Sequence, residues 1–186
     1  MTEWQNVVQV GGRRFTCGFC MRAVGPSFGY PYRNPYREVL ICPTCDRPNY
    51  FEIDDQTPAP LLGNDVANVP DEIGVLYAEA RACTGVDAFT AAVMACRKIL
   101  MHIAVDKGAE AGKRFIEYVE YLSNKGYVPP NGKDWVDHIR SKGNEANHEI
   151  TIMKKEDALD LITFSEMLLK FIYEFPKRIP PKKPTS

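Results

Sequence analysis

Near residue 70 the spacing of hydrophobic and polar positions changes. Before that point apolar residues come in short runs broken by glycine and proline. Trp4, Val7, Val8 and Val10 precede Gly11-Gly12, and Arg13 to Thr16 lead into a first cysteine pair. Glu38 to Ile41 and Asn49 to Ile53 flank a second pair. Runs of this length between turn-forming residues predict strands. The stretch from Val24 to Tyr36 is too rich in proline and glycine for a helix, and the polar Asp54 to Val69, with Pro58 and Pro60, reads as a linker.

From Pro70 onward the apolar period is about 3.6 residues, the helical value. Asn68 is placed to cap a first helix, with Asp71 and Glu72 in its first turn and Gly85 ending it. Asp87 is placed to cap a second, through Lys107, whose stripe is Phe89, Ala92, Val93, Cys96, Leu100 and Ile103; Gly108 ends it. A third is predicted from Ala111 to Asn124, and a fourth around Trp135, Val136 and Ile139 after the turn at Pro129 to Gly132. A fifth runs from Glu156 to Phe175, stopped by Pro176. Five helices with short connections predict an all-α antiparallel bundle. The predicted fold class is therefore a small β-rich ribbon followed by this bundle, with boundaries at 1–62, 63–176 and 177–186.

Composition sharpens this division. The 186 residues carry 23 basic and 24 acidic side chains, a near-neutrality that gives the whole chain no electrostatic reason to hold nucleic acid irrespective of sequence. The balance is uneven, however. Residues 1–62 are neutral, residues 63–176 stand at −5, and Lys177 to Ser186 at +4. So many prolines and no apolar period make that basic tail extended. No run approaches the ~18 apolar residues of a membrane span, and Met-Thr-Glu-Trp is no secretory start, so a cytoplasmic chain without membrane contact is expected.

The cysteines carry the firmest chemistry. Cys17-x-x-Cys20 and Cys42-x-x-Cys45 offer thiolates at i and i+3, and two such knuckles complete a tetrahedral sphere. The pattern resembles a zinc ribbon over residues 11–53, with one structural Zn²⁺ per chain. A closed sphere of four thiolates has no open position for catalysis. Iron is the chemical competitor, since four sulfurs suit either metal. Met21 and Asp46 stand where a rubredoxin-like knuckle would have glycine, which favours zinc. Cys83 and Cys96 fall on apolar helical faces as small hydrophobes. Phe28, Tyr30, Tyr32 and Tyr36, interleaved with Arg33 and Arg37, are rings that either stack on bases between phosphate-holding arginines or cover a small core.

The helical part has its own dense polar pattern: Trp135-Val-Asp-His-Ile-Arg140-Ser-Lys-Gly143-Asn144-Glu-Ala-Asn-His148-Glu149. With Gly74 to Arg81, Ala88 to Arg97, Glu156 to Ala158 and Pro176, it resembles the bacterial family called domain of unknown function 4145 over about residues 70–176. Ile139-Arg-x-x-Gly-Asn-x-x-x-His148 is its most specific stretch, and an amino-terminal zinc ribbon is familiar there. That family looks related to the HEPN helical domains. The resemblance implies an all-α, HEPN-like homodimer with RNA, DNA or a protein as partner, in phage defence or nucleic-acid processing.

Many HEPN domains cut RNA without metal, and the resemblance implies Arg140, Asn144 and His148 as a candidate catalytic group. His148 would move the proton, Arg140 would neutralise charge growing on phosphorus, and Asn144 would orient the groups. This chain departs from the ribonuclease motif, because seven residues separate Arg140 from His148 and Gly143 precedes Asn144. Gly-Asn is a helix stop, so the same residues also read as a helix end followed by a cap and a packed histidine. Enzyme activity thus stays open, with a zinc-binding adaptor as the leading reading and a ribonuclease as the alternative. His102 and His138 read as structural or surface residues, and Arg81 and Arg97 project toward the Asn144 to His148 region or pair with Glu79 and surface acids.

Overall fold

In a computed structural model, residues 4–26, 28–32, 37–128, 134–139 and 152–178 are described. Arg33, Tyr36, the Pro129 to Gly132 turn, the tail beyond Arg178 and all of Arg140, Asn144 and His148 lie outside them. The chain forms two compact units. One runs up to Leu61 and includes Thr84–Asp87; the other comprises Leu62–Cys83 and the residues from Ala88 onward.

The first unit is entirely antiparallel. Strands β1 (Val8–Gln9), β4 (Phe28–Pro31), β5 (Arg37–Ile41), β6 (Pro48–Glu52) and β7 (Asp55–Thr57) form one sheet in the order β1-β4-β5-β6-β7. β2 (Phe15–Thr16) and β3 (Ala23–Val24) form a separate hairpin, with Phe15 opposite Val24. Three of these elements, β3, β4 and β7, were not expected. β4 lies inside the proline-rich stretch because Gly29 permits a close approach: a Cβ there would sit 2.2 Å from the Val39 carbonyl oxygen on β5. β7 lies inside the predicted linker, its polar Asp-Gln-Thr held by pairing Gln56 with Phe51 and Thr57 with Tyr50. The core is small: Leu40, Ile41 and Phe51 are buried beside Cys17 and Cys42, and Phe15 meets Phe51 edge-on at 4.8 Å.

The second unit is all-helical. It contains α1 (Asp71–Thr84), α2 (Phe89–Asp106), α3 (Phe115–Asn124), α4 (134–139) and α5 (Lys155–Leu169). A π turn at Lys170–Glu174 and a last α turn, α6 (Phe175–Arg178), continue α5. The expected β ribbon followed by five main helices is thus what forms, and among the described residues no helix is long and apolar enough to cross a membrane. The core is built from Ala92, Val93, Cys96, Leu100 and Ile103 of the predicted α2 stripe, with Leu161, Ile162, Phe164 and Leu168 of α5, all at most 2% exposed.

The helix ends differ from the sequence expectation for local reasons. Asn68 takes a left-handed φ of 62°, two residues too early to cap, and the Pro70 carbonyl accepts the first helical bond, from Gly74 N. Asp87 is left-handed too, at 58°, because Ala88 N–H folds back onto the Cys83 carbonyl to close α1; Ala88 becomes the N-cap of α2. α3 begins at Phe115 rather than Ala111: Gly112 at φ +81° cannot be helical, and the Glu117 carboxylate accepts Arg114 N–H at 3.0 Å. Pro176 does not stop the last helix. It lies in the first turn of α6, where a missing N–H is tolerated, and the π turn before it absorbs the change of register. Lys177 and Arg178, assigned by sequence to the extended tail, are therefore helical.

The last helical run also anchors the chain ahead of α1. The buried Glu166 carboxylate accepts Asn64 N and Nδ2 at 2.8 and 3.1 Å, and the buried Glu174 carboxylate accepts Ala67 N at 3.0 Å. Arg81 closes the same segment from α1, donating to the Leu62 and Gly63 carbonyls at 3.1 Å and pairing with Asp65 rather than with Glu79.

Candidate metal centre and helical groove

Both cysteine pairs stand at hairpin tips. The first knuckle joins β2 to β3, and the second joins β5 to β6, whose last paired residues are Ile41 and Pro48. The two turns share one bonding pattern. Cys17 N donates to Arg22 O at 2.9 Å and Met21 N to Cys17 O at 3.0 Å; Cys42 N donates to Arg47 O at 3.0 Å and Asp46 N to Cys42 O at 2.9 Å. Met21 and Asp46 take φ values of 57° and 58°, the left-handed conformation usually given to glycine. Each costs about 1–2 kcal/mol in an L-residue. The backbone thus makes the knuckle without the glycine whose absence the sequence suggested as a sign against iron.

The four sulfurs lie within 4.8 Å of one another. Cys17 Sγ is 3.7 Å from Cys45 Sγ, and Cys20 Sγ is 3.8 Å from Cys42 Sγ. A zinc–sulfur bond of about 2.3 Å requires tetrahedral edges of about 3.8 Å, whereas a disulfide requires about 2.05 Å. The chemistry and spacing of the donors fit a metal ion such as zinc.

Residues around the cluster hold it in place. Asn49 is fully buried. Its Nδ2 donates to Cys17 Sγ at 3.5 Å and to Arg47 O at 3.3 Å, while its Oδ1 accepts Gly18 N at 3.0 Å and Gln56 Nε2 at 3.1 Å. Gln56 also reaches the Thr16 carbonyl at 2.8 Å. Gly18 leaves no room for a side chain, since a Cβ would lie 2.0 Å from the Pro58 carbonyl oxygen. Trp4 Nε1 donates to Asp46 O at 2.9 Å, tying the chain start to the second knuckle. Sequence reasoning missed Asn49; its signal was the strand alternation that sets it on one face with buried Phe51. Replacing Asn49 with alanine is expected to lower zinc affinity about 10–100-fold, the usual cost of losing a ligand's supporting hydrogen bond. Competition with a chromophoric chelator measures this, and an unchanged affinity would refute the role.

The thiols are tuned unequally. For Cys17 burial pushes the pKa up, but hydrogen bonds at the Cys20 and Phe19 backbones and from Asn49 outweigh it and bring the thiol down to about 7. Burial pushes Cys45 up to about 12, with the neighbouring thiols adding to it, and burial also raises Cys20. A metal must displace the protons of these raised thiols, so its affinity falls as pH falls. Between pH 8 and pH 6 the logarithm of the apparent zinc affinity is expected to drop by at least about two per pH unit, one for each of Cys20 and Cys45 and a further part as Cys17 titrates near 7. A flat profile in the same competition assay would contradict this.

The aromatic row is dispersed. Phe28 and Tyr32 are exposed, Tyr30 donates to the Gln5 carbonyl, and Arg37 is held by Glu52 through a bond of 2.8 Å from Nε.

In the helical unit, a groove of about 800 Å³ runs between α1, α2 and the start of α3. Leu76, Met94, Met101 and Phe115 line it, together with the cations Arg97, Lys98, Lys113 and Arg114. Arg97 is only 7% exposed; its guanidinium lies 4.7 Å from the Phe115 ring centre, and burial lowers its pKa. Lys113 and Arg114 have partners in Glu110 and Glu117. A family model described as a domain of unknown function, DUF4145, matches residues 78–183, more than half of the chain.

The chain belongs to the DUF4145 family.

No curated protein and no solved structure matches it. The DUF4145 match begins in the middle of α1 and covers α2 and Arg97, while the cysteine cluster lies outside it. Within the DUF4145 domain, Arg140, Asn144 and His148 fall outside the described residues. His102 is exposed on α2, and His138 is exposed with Nε2 2.6 Å from Asp160 Oδ2. Cys96 is fully buried and its thiol is pushed up to about 12 by burial, while Cys83 is half-buried; both are free thiols.

Proposed function

We propose that this DUF4145 protein is a zinc-binding adaptor. Its metal-held ribbon and HEPN-like helical domain recognise a partner in phage–host conflict or nucleic-acid processing. The observation that carries the reading is the closed set of four cysteine sulfurs, which leaves a bound zinc no open position and makes it a structural ion. The HEPN relation draws support from the all-α build of the family domain. Partner recognition draws it from the groove beside α2, where apolar side chains and a buried arginine meet a charged rim of Glu79, Lys98, Lys113 and Arg114. The −5 charge of residues 63–176 favours a protein over a phosphate polymer as that partner.

Elemental analysis of freshly purified protein tests the metal, with one zinc per chain expected; well under one, or iron in its place, would refute it. RNA incubated with the zinc-loaded protein and chelator-treated buffer tests the adaptor role, with no cleavage expected. Cleavage that disappears in His148→Ala and Arg140→Ala would replace the adaptor by the metal-independent ribonuclease, with Asn144 as orienting group.

A further inference from the structure

Three stretches of the ribbon meet at a pocket of about 240 Å³ beside the second knuckle. Trp4 and Val7 reach it from ahead of β1, Phe28 from the start of β4, and Ile41, Cys42 and Asp46 from the tip of the β5–β6 hairpin. Ile41 and Cys42 are buried beneath it, Trp4 and Val7 are half-buried at its sides, and Phe28 and Asp46 are exposed, Phe28 by 54%. Two contacts hold the indole in place: Nε1 donates to Asp46 O at 2.9 Å, and the ring meets Tyr30 edge-on with centres 6.3 Å apart. The ribbon's own bonds therefore form the pocket before any ligand enters.

Its charge is one-sided. Asp46 is the only charged residue lining it among the described residues. Arg47, next in the chain, is absent from the lining, and its guanidinium lies 5.1 Å from the Phe19 ring centre on the first knuckle. The residue that matches Asp46 in the first knuckle is Met21, whose Sδ accepts Leu61 N at 3.2 Å. The Asp46 carboxylate has no such partner among the described residues, although its left-handed φ of 58° is one that glycine would meet without steric cost. A zinc ion held by four thiolates would add a net negative charge beneath the pocket, since Cys42 is one of the four, so the inference rests partly on the zinc reading.

The geometry points to a binding site for a methylated ammonium head group, seated between the Trp4 and Phe28 rings with Asp46 at the mouth. Aromatic faces attract cations, and quaternary ammonium ligands are recognised in this way. A bare ammonium has three donors and would find one carboxylate to receive them. A neutral apolar group would gain nothing from Asp46. Small-molecule sites usually measure about 300–1,000 Å³, so this smaller pocket takes a head group rather than a whole cofactor. A small molecule of the choline kind and a trimethylated lysine of a protein both carry that group.

Titrating choline into the full chain as purified, against sodium chloride of equal strength, reads the site through the Trp4 indole N–H resonance. Trp135→Phe distinguishes it from the other indole. A saturable shift is expected, with Kd on the order of 1 mM. The neutral isostere, with carbon in place of the ammonium nitrogen, is expected to bind at least about fivefold more weakly, and Phe28→Leu and Asp46→Asn each to weaken choline binding about 2–30-fold with zinc content unchanged. Asparagine accepts the left-handed backbone, so that variant removes the charge and keeps the knuckle. A trimethyl-lysine peptide that binds at least about tenfold tighter than choline would assign the head group to a protein, and equal or weaker binding to a small molecule. No saturable shift up to about 50 mM choline, an isostere that binds as well, or an affinity that both variants leave unchanged would each overturn the inference. Absence of zinc with the choline response intact would instead strike only the adaptor reading.

Discussion

Chelating the metal is expected to unfold the ribbon and leave the helical unit standing. Among the described residues the ribbon's buried hydrophobic core is Leu40, Ile41 and Phe51 with two of its own ligands, on strands of two to five residues. Such a core cannot offset the backbone entropy of ordering the segment. A four-thiolate zinc supplies about 10–16 kcal/mol on the scale of zinc-finger peptides, enough to decide the matter. The helical unit has a separate core of more than twenty buried side chains and needs no metal. The two tryptophans report the outcome independently, because Trp4 bonds to the Asp46 carbonyl in the second knuckle and Trp135 lies beside Phe164 in the helical core. With a strong chelator, or in Cys42→Ser, Trp4 emission is expected to shift to that of solvated indole while Trp135 emission and most helical circular dichroism persist. Trp4→Phe and Trp135→Phe variants separate the two signals. A Trp4 environment indifferent to chelation would show that the ribbon stands without metal.

Phe164→Ala is expected to cost the helical unit about 3–5 kcal/mol, much of the 5–15 kcal/mol by which a typical domain is stable. Phe164 is fully buried on α5, and its ring centre lies 6.1 Å from that of Trp135 on α4. Deleting it removes the apolar transfer energy and leaves a cavity that the α2–α5 contact cannot close without moving two helices. The thermal midpoint read at Trp135 should fall by about 10–20 °C, whereas Phe164→Leu should cost about 1–1.5 kcal/mol. Zinc content should not change. A loss below about 1 kcal/mol would mean that α4 is not packed as described.

How legible all this was from the chain follows a physical divide between local and long-range interactions. Helical periods, glycine stops at 108 and 126, and the knuckle spacing are short-range signals, and each corresponds to an element that forms. The failures have two sources, local backbone closure at helix ends and pairing with other strands. Asp87 lost its cap because closure of α1 took its backbone left-handed, and Pro176 passed into a helix because a π turn precedes it. β4 and β7 form out of proline-rich and polar stretches because neighbouring strands pair with them. The candidate metal centre was legible as four ligands but not as a site. Asn49 contacts Cys17 across 32 residues and Gln56 contacts Thr16 across 40, separations that no local pattern encodes.

By itself, then, the sequence determined a four-sulfur centre, an amphipathic helical domain and the absence of any strong whole-chain charge, because ligand spacing, helical period and composition are properties of neighbouring residues. Only the tertiary structure decided that the four sulfurs come within 4.8 Å of one another, that a buried amide supports one of them, and that the last helical run leaves Phe171 and Phe175 exposed. Those depend on which distant segments meet, and burial, hydrogen-bond pairing and exposure exist only once they do.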